Sequence, residues 1–358
     1  MKKIAMLLSG GVDSSVALSL LVKEAKYDIK AYYLKIWLEE EFAFLGDCPW
    51  EEDLKYARSV CDHFGVPLEV VSLQRPYWDL VVAHTVSELK AGRTPSPDIL
   101  CNQRIKYGAF TNFISDSVDK IASGHYARVE EDGSFSLLKG VDPVKDQTYF
   151  LSHLSQEQLG RCMFPLGGFT KDEVREKAKD FDLPNQDRRD SQGICFLGKI
   201  RYNEFVKGHL GEAPGVIKEK SSGKILGKHK GYWFHTVGQR KGLGLGGGPW
   251  FVVGKDVKRN IVYVERSTGH EERLCQHFAI SPGKWINGAP DEDREYSVKI
   301  RHGARTTHCR LKPSPDGEAT YEITMVEPDG GVAPGQYAVV YDGDTCLGGG
   351  TISHRLDL

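Results

Sequence analysis

The residues best suited to chemistry come first in the chain. Ser9-Gly10-Gly11-Val12-Asp13-Ser14 follows the apolar run Ile4–Leu8 and precedes Ser15–Lys23, where Val16, Leu20 and Lys23 recur at helical spacing. Strand, glycine turn and helix start make the geometry of an anion site. The glycines let backbone N–H groups turn inward, and the unpaired N–H groups of a helix's first turn face the same point. Ser9, Ser14 and Ser15 add hydroxyl donors. Asp13 is out of place among them, because a carboxylate repels phosphate unless a cation lies between. No Lys follows the glycines, so the pattern G-x-x-x-x-G-K-[ST] is not met and γ-phosphate chemistry is not indicated.

Two cysteine-bearing stretches form the second constellation. In Arg93–Asn102 (RTPSPDILCN) the two prolines predict an extended loop that brings Asp98 and Cys101 to one place. A helix predicted over Gln103–Ile114 then puts Cys101 near a helix N-terminus, where a thiol is acidified; the alternative is a small apolar residue before a helix. Cys195, in DSQGICFLG, has Arg188 and Arg189 upstream, which favour thiolate. Ile194 and Phe196 beside it suit a buried structural cysteine equally well. His125 either touches substrate or caps a strand.

These groups need a scaffold, and the pattern supplies one. Ile29–Trp37, Leu68–Ser72 and Lys120–Ser123 read as strands, and Glu51–Gly65 and Tyr77–Ala91 as helices. The alternation predicts an α/β fold with a doubly wound parallel sheet. Adenine often lies over the carboxyl end of such a sheet, which makes Leu34 and Lys35 candidates for base contact and Gly124 a point of close approach to nucleotide. Thr170–Phe181 is a helix with a Thr170/Glu173 capping box. From 199 to 241 the chain carries ten Lys or Arg against three Asp or Glu, with Tyr202, Phe205, Tyr232, Trp233 and Phe234 interleaved. Such a segment suits RNA backbone and stacked bases; a solvated face over a small core is the plainer alternative. Gly238–Gly248 reads as a loop. Beyond it come short strands at Trp250–Val253, Ile261–Glu265, Tyr296–Ile300, His308–Leu311, Tyr321–Val326, Tyr337–Tyr341 and Gly348–Ser353, and those after His270 suggest a small β-barrel. The expected organisation is a nucleotide-binding catalytic domain over 1–200, a central domain over 201–271 and a C-terminal β-barrel domain over 272–358.

Composition narrows the classes. The chain has 358 residues and a formal charge of −2, so any nucleic-acid site must be a local patch. Its eight cysteines include no C-x-x-C pair, which argues against a zinc ribbon or a thioredoxin motif. The apolar start is too short for a signal peptide and no stretch approaches a membrane span. A reduced, cytoplasmic setting and no membrane partner are expected.

SGGVDSS at the end of the first strand resembles the PP-loop of the ATP pyrophosphatases. Together with TPSPDILCNQRIKYGAF, SGHYAR, KDQTYFL, FPLG, DSQGICFLGK, HTVGQRKGLG and PWFVVGKD, in that order, it resembles the tRNA-uridine 2-sulfurtransferases, or tRNA 2-thiouridylases, over essentially the whole chain. The resemblance implies exchange of the wobble-uridine C2 oxygen for sulfur in tRNAs for Glu, Gln and Lys, driven by ATP with Mg²⁺. It implies ATP contacts at Leu7, Leu8, Ser9, Gly10, Gly11, Val12, Asp13, Ser14, Leu34 and Gly124, with Asp13 helping to hold the metal. It implies Cys101 as nucleophile and Cys195 as persulfide carrier, and Asp98, three residues before Cys101, is placed to move a proton on the base or the thiol. Ser96, Pro97, Asp98, His125, Lys145, Asp146, Gln147, Arg301, His302 and Gln336 would meet tRNA. A cysteine desulfurase or sulfur-relay carrier would be the sulfur donor protein. Ser96 stands where the family usually has Asn, His302 replaces a common Tyr, and Leu38–Trp50 departs from the commonest form. Two rivals are an amide-forming PP-loop ligase and an RNA-binding module with an inactive nucleotide loop.

Overall fold

The computed structural model describes residues 1–36, 50–114, 118–189, 202–266, 274–315 and 320–357. Cys195 and most of Leu38–Trp50 lie outside these residues. The first part of the chain is built on a five-stranded parallel sheet of β1 (Lys2–Leu7), β2 (Tyr27–Lys35), β3 (Leu68–Ser72), β4 (Lys120–Ala122) and β7 (Cys162–Met163), in the order β3-β2-β1-β4-β7. β1 is central and its Ile4, Ala5 and Met6 are buried. A strand covered on both faces must be apolar throughout, and that is why this run shows no alternation. Strand order reverses between β1 and β4, so a crevice opens at their carboxyl ends. Helix α1 (Val12–Lys23) packs Val16, Ala17, Leu18 and Leu21 against one face.

The helix over Lys171–Asp180 forms with the expected capping box: Thr170 Oγ1 accepts from the Glu173 N–H, and Glu173 accepts from the Thr170 N–H. The Cys101 segment differs from expectation. Its helix begins at Pro97, with Ser96 as N-cap, and continues through Pro97–Leu100, Cys101–Ala109 and Phe110–Phe113, the middle part in π-helical form. Proline at the first helical position is pre-set for a helix start, so the second proline opens the helix rather than extending the loop. Cys101 therefore sits in the second turn, and its N–H bonds to the Asp98 and Pro97 carbonyls.

A hairpin absent from the expected pattern, β5 (Ala127–Asp132) with β6 (Ser134–Lys139), leaves the parallel sheet after β4. The central part is a small sheet of β8 (Gly215–Glu219), β9 (Ile225–His229), β10 (Trp250–Asp256) and β11 (Ile261–Arg266), ordered β10-β11-β8-β9 over Ile217, Trp250, Val252 and Val264. Then β12 (Cys275–Trp285), β13 (Tyr296–Lys299), β14 (Thr307–Pro313), β15 (Tyr321–Asp329), β16 (Tyr337–Asp342) and β17 (Thr345–Arg355) form a barrel closed by β12 pairing with β17. Hairpin strand β6 pairs with β17 through Leu138↔Thr345 and Leu137↔Cys346, so the first part of the chain extends the barrel's sheet. No described helix is long and apolar enough to cross a membrane.

Candidate active site

At the carboxyl end of β1, Gly10 takes φ +78°, a region open to glycine, and a Cβ there would strike the Asp53 carbonyl. Gly11 is the N-cap of α1 and has no side chain with which to cap it. Inside the turn, Ser14 Oγ and Ser15 Oγ donate to the Gly11 carbonyl at 3.0 and 2.9 Å, and the Ser9 N–H donates to Ser14 Oγ at 3.3 Å. The Ser15 N–H donates to the Gly11 carbonyl at 3.1 Å, which closes the first turn of α1. At Gly124 the tightness comes first from the protein: a Cβ would lie 2.7 Å from the Ser14 nitrogen and 2.9 Å from Asp13 carbon.

A cavity of about 380 Å³ opens over this turn. Leu7, Leu8, Ser9, Gly11, Val12, Asp13, Ser14, Leu34 and Gly124 line it, and so do Cys101, His125, Lys145 and Gln147. Residues 100 positions apart in sequence thus meet around one space, which is large enough for a nucleotide-sized ligand. Gly10 is buried just beneath the wall.

Asp13 does not stand alone. Its Oδ1 accepts from Lys171 Nζ at 2.7 Å and from the Tyr126 hydroxyl at 2.8 Å. Lys171 supplies the cation missing from the glycine turn, so the loop's acidic group is neutralised from another element. A signal for this was present: a Lys at the first position of a helix opposes the helix dipole. Sequence reasoning also missed Tyr33, Ile36, Trp50, Asp53 and Lys106, all of which line the cavity together with Arg189, which the sequence offered only as a neighbour of Cys195. Lys35, offered for base contact, holds its ammonium 4.2 Å from the centre of the ring of Trp50, which lines the cavity.

Cys101 is 1% exposed yet borders the cavity, and Asp98 lies one turn before it on the same helical face. Burial inside a helix, not a free helix N-terminus, is its environment. His125 Nδ1 lies 2.7 Å from Ser123 Oγ, which lies 2.8 Å from the Tyr107 hydroxyl. Desolvation, with Lys106 adding to it, holds the His125 ring well below its ordinary pKa, so the imidazole is neutral at physiological pH. It faces the cavity and does not merely cap a strand.

The residues expected to meet tRNA divide into groups. Lys145, Gln147 and His125 are at the cavity. Ser96 and Asp98 are near the barrel: Tyr149 interacts with Ser96 and donates its hydroxyl proton to the Tyr337 carbonyl at 3.1 Å, and the exposed His302 ring stacks on Phe150 at 4.5 Å and feels the Asp98 charge. Arg301 is exposed, and its guanidinium binds Asp329 through both carboxylate oxygens, at 3.0 and 2.9 Å. Gln336 follows Gly335, where a Cβ would meet Arg93 and Thr94, and the Thr94 N–H donates to the Pro334 carbonyl at 2.8 Å. The barrel therefore braces the strap that leads into Ser96. Pro97 is buried. Asp146 is 3% exposed, and its carboxylate accepts from Lys299 Nζ at 2.8 Å and from Thr148 Oγ1, so any contact it makes with tRNA would fall to its backbone. Its side chain joins the part of the chain that carries the parallel sheet to the barrel. Among the described residues no group of His, Cys, Asp and Glu could hold a metal by itself. Mg²⁺ is usually held by one or two carboxylates together with substrate phosphates, and Asp13 and Asp53 border the cavity where such phosphates would lie.

Three family models match consecutive parts of the chain: a tRNA methyl transferase HUP domain over 2–199, a tRNA methyl transferase PRC-barrel domain over 203–266 and an aminomethyltransferase beta-barrel domain over 275–352. Among curated proteins, the tRNA-specific 2-thiouridylase MnmA of Parabacteroides distasonis is 46% identical over 357 residues, 98% of each chain. The tRNA-specific 2-thiouridylase MnmA 1 of Bacteroides thetaiotaomicron is 44% identical over 98% of this chain and 99% of its own. The same coverage and 44% identity hold for the tRNA-specific 2-thiouridylase MnmA of Porphyromonas gingivalis.

Proposed function

The chain belongs to the tRNA-specific 2-thiouridylase family, and from that membership we propose that it thiolates the wobble uridine of tRNAs of the Glu, Gln and Lys type in two chemical stages. The observation that carries this reading is the shared cavity, in which the glycine turn and Cys101 border the same space. A uridine C2 oxygen is a poor leaving group. ATP supplies the activation: the oxygen attacks the α-phosphate, pyrophosphate leaves, and the oxygen becomes part of AMP. The glycine turn and first-turn N–H groups of α1 hold phosphate oxygens, Lys171 balances Asp13, Leu34 borders the base side, and Asp13 and Asp53 would help to hold a Mg²⁺ that neutralises the triphosphate. In the second stage Cys195 carries sulfur as a persulfide. The Cys101 thiolate attacks its inner sulfur, a Cys101–Cys195 disulfide forms, and the released terminal sulfur displaces AMP from C2. A reductant then restores both thiols. Asp98, one helical turn from Cys101, moves a proton on the base or thiol. A cysteine desulfurase or a relay carrier reloads Cys195. Ser96, Asp98, His125, Lys145, Gln147, Arg301, His302 and Gln336 form the tRNA-facing set, and the setting is cytoplasmic.

With tRNA and ATP the products are expected to be AMP and pyrophosphate, measured by thin-layer separation of α- and γ-labelled nucleotide. Asp13→Ala should reduce AMP formation to background, since Lys171 and Tyr126 would lose their common partner. ADP and phosphate as products would overturn the nucleotide assignment.

The basic central segment is the expected track for RNA phosphate. Lys228 and Lys230 are exposed, the latter 3.4 Å from Glu212. Reversing both charges should weaken tRNA binding and lower the slope of log K against log salt by about 1 or more. Free-enzyme affinity for ATP should stay unchanged. Unaltered tRNA affinity, read by filter binding, would make this face a solvated one.

A further inference from the structure

We infer that Asn185 and Arg188 are positioning residues that lock the Gly10–Gly11 peptide of the glycine turn in its anion-binding orientation. The inference rests on the reading of that turn as a nucleotide phosphate site. In a trans peptide the C=O of one residue and the N–H of the next point in opposite directions. The Gly10 carbonyl is gripped on its outer side by two donors, Asn185 Nδ2 at 2.8 Å and Arg188 Nη1 at 2.9 Å. The Gly11 N–H of the same plane must then point the other way, and Gly11 lines the cavity while Asn185 and Arg188 do not. In this structure that N–H has Ser9 Oγ at a long 3.4 Å, a bond easily exchanged for a phosphate oxygen.

The clamp is itself held. Asn185 is 2% exposed and its Nδ2 also donates to Ser15 Oγ at 2.9 Å, tying the turn to the first turns of α1. The Arg188 guanidinium pairs with Asp53 and lies 4.7 Å from the centre of the Tyr56 ring. Arg175 Nη1 donates to the Arg188 and Gln186 carbonyls at 2.7 and 3.2 Å, fixing the backbone that carries the clamp. A planar guanidinium with its fork divided between a carbonyl and a carboxylate cannot be replaced by a lysine ammonium. Arg188 works behind the turn, whereas its neighbour Arg189 borders the cavity.

Calorimetric titration of ATP, inorganic pyrophosphate and adenosine into the full chain tests this. Arg188→Met and Asn185→Ala should each weaken ATP and pyrophosphate about 10-fold or more, the scale of one charge-assisted hydrogen bond. Adenosine should bind within twofold of the unmutated chain. Arg188→Lys keeps the charge and should not restore affinity. Unchanged ATP and pyrophosphate binding in Arg188→Met and Asn185→Ala would overturn the proposal. So would an equal loss for adenosine, which marks a general collapse, or full rescue by Arg188→Lys, which marks a charge effect. Should Arg188→Met fail to fold by circular dichroism, the Asn185→Ala and Arg188→Lys arms decide. Absence of ATP and pyrophosphate binding by the unmutated chain would instead overturn the phosphate-site reading on which the clamp depends.

Discussion

Cys101→Ser and Cys195→Ser are each expected to lose 2-thiouridine formation entirely while still releasing pyrophosphate from ATP in the presence of tRNA. Adenylation needs no thiol, so the first chemical stage should survive and adenylated tRNA should accumulate. The two variants should differ in sulfur loading. Cys101→Ser should still take up a persulfide at Cys195, and Cys195→Ser should not be loaded productively. One turnover without reductant should leave a Cys101–Cys195 disulfide, seen by peptide mapping; that bond requires Cα atoms within roughly 7 Å.

The remaining cysteines provide the contrast. Burial pushes the thiols of Cys61 and Cys275 up to about 11 and those of Cys309 and Cys346 up to about 12, and Cys162 higher still. A thiol held protonated at neutral pH is a poor nucleophile. Cys162 and Cys275 donate to the Gln158 and His277 carbonyls at 3.1 and 3.3 Å, bonds a Ser hydroxyl can take over. Ser at any of these positions, or at Cys48, should leave most activity intact. If one of the six proved essential and Cys195 dispensable, the persulfide assignment would fall.

The second large effect is on stability. Lys299 and Asp146 form an ion pair, 3% and 2% exposed at their side chains, between the barrel and the catalytic part. Lys299→Met strands a carboxylate in a site closed to water and should cost about 3–5 kcal/mol, because removing one partner leaves an uncompensated buried charge. Adding Asp146→Asn removes that charge and should recover much of the loss, so the double-mutant cycle should give a large coupling energy. Urea denaturation measures both. A Lys299→Met variant within about 0.5 kcal/mol of the unmutated chain, the range of surface changes, would show the pair to be hydrated.

Asp146 also shows where sequence reading stops. Resemblance groups it with Lys145 and Gln147 among tRNA contacts, and those two neighbours border the cavity while the Asp146 side chain does not. Its direction is set by Lys299, 153 positions away, and nothing local encodes that. The same holds for β6, whose partner β17 lies some two hundred residues on, and for Lys171, whose ammonium crosses to Asp13. Local signals did better. β1, the glycine turn, α1 and the Thr170 capping box depend on short-range spacing and were legible in type and place, although β1 runs Lys2–Leu7 rather than Ile4–Leu8 and α1 begins at Val12 rather than Ser15. The helix containing Cys101 was misplaced because proline carries two opposite local meanings, a loop stiffener and a first helical residue. Context decided for the second at Pro97.

The central claim is that one cavity both activates uridine with ATP and delivers sulfur to it. Mass spectrometry of the nucleosides from tRNA for Glu, Gln or Lys, after incubation with the protein, ATP, Mg²⁺ and a persulfide donor, tests it most directly. The wobble uridine should appear as 2-thiouridine, with one AMP formed per sulfur inserted. Unmodified uridine in the presence of loaded Cys195 and bound ATP, or thiolation that proceeds without ATP, would contradict it.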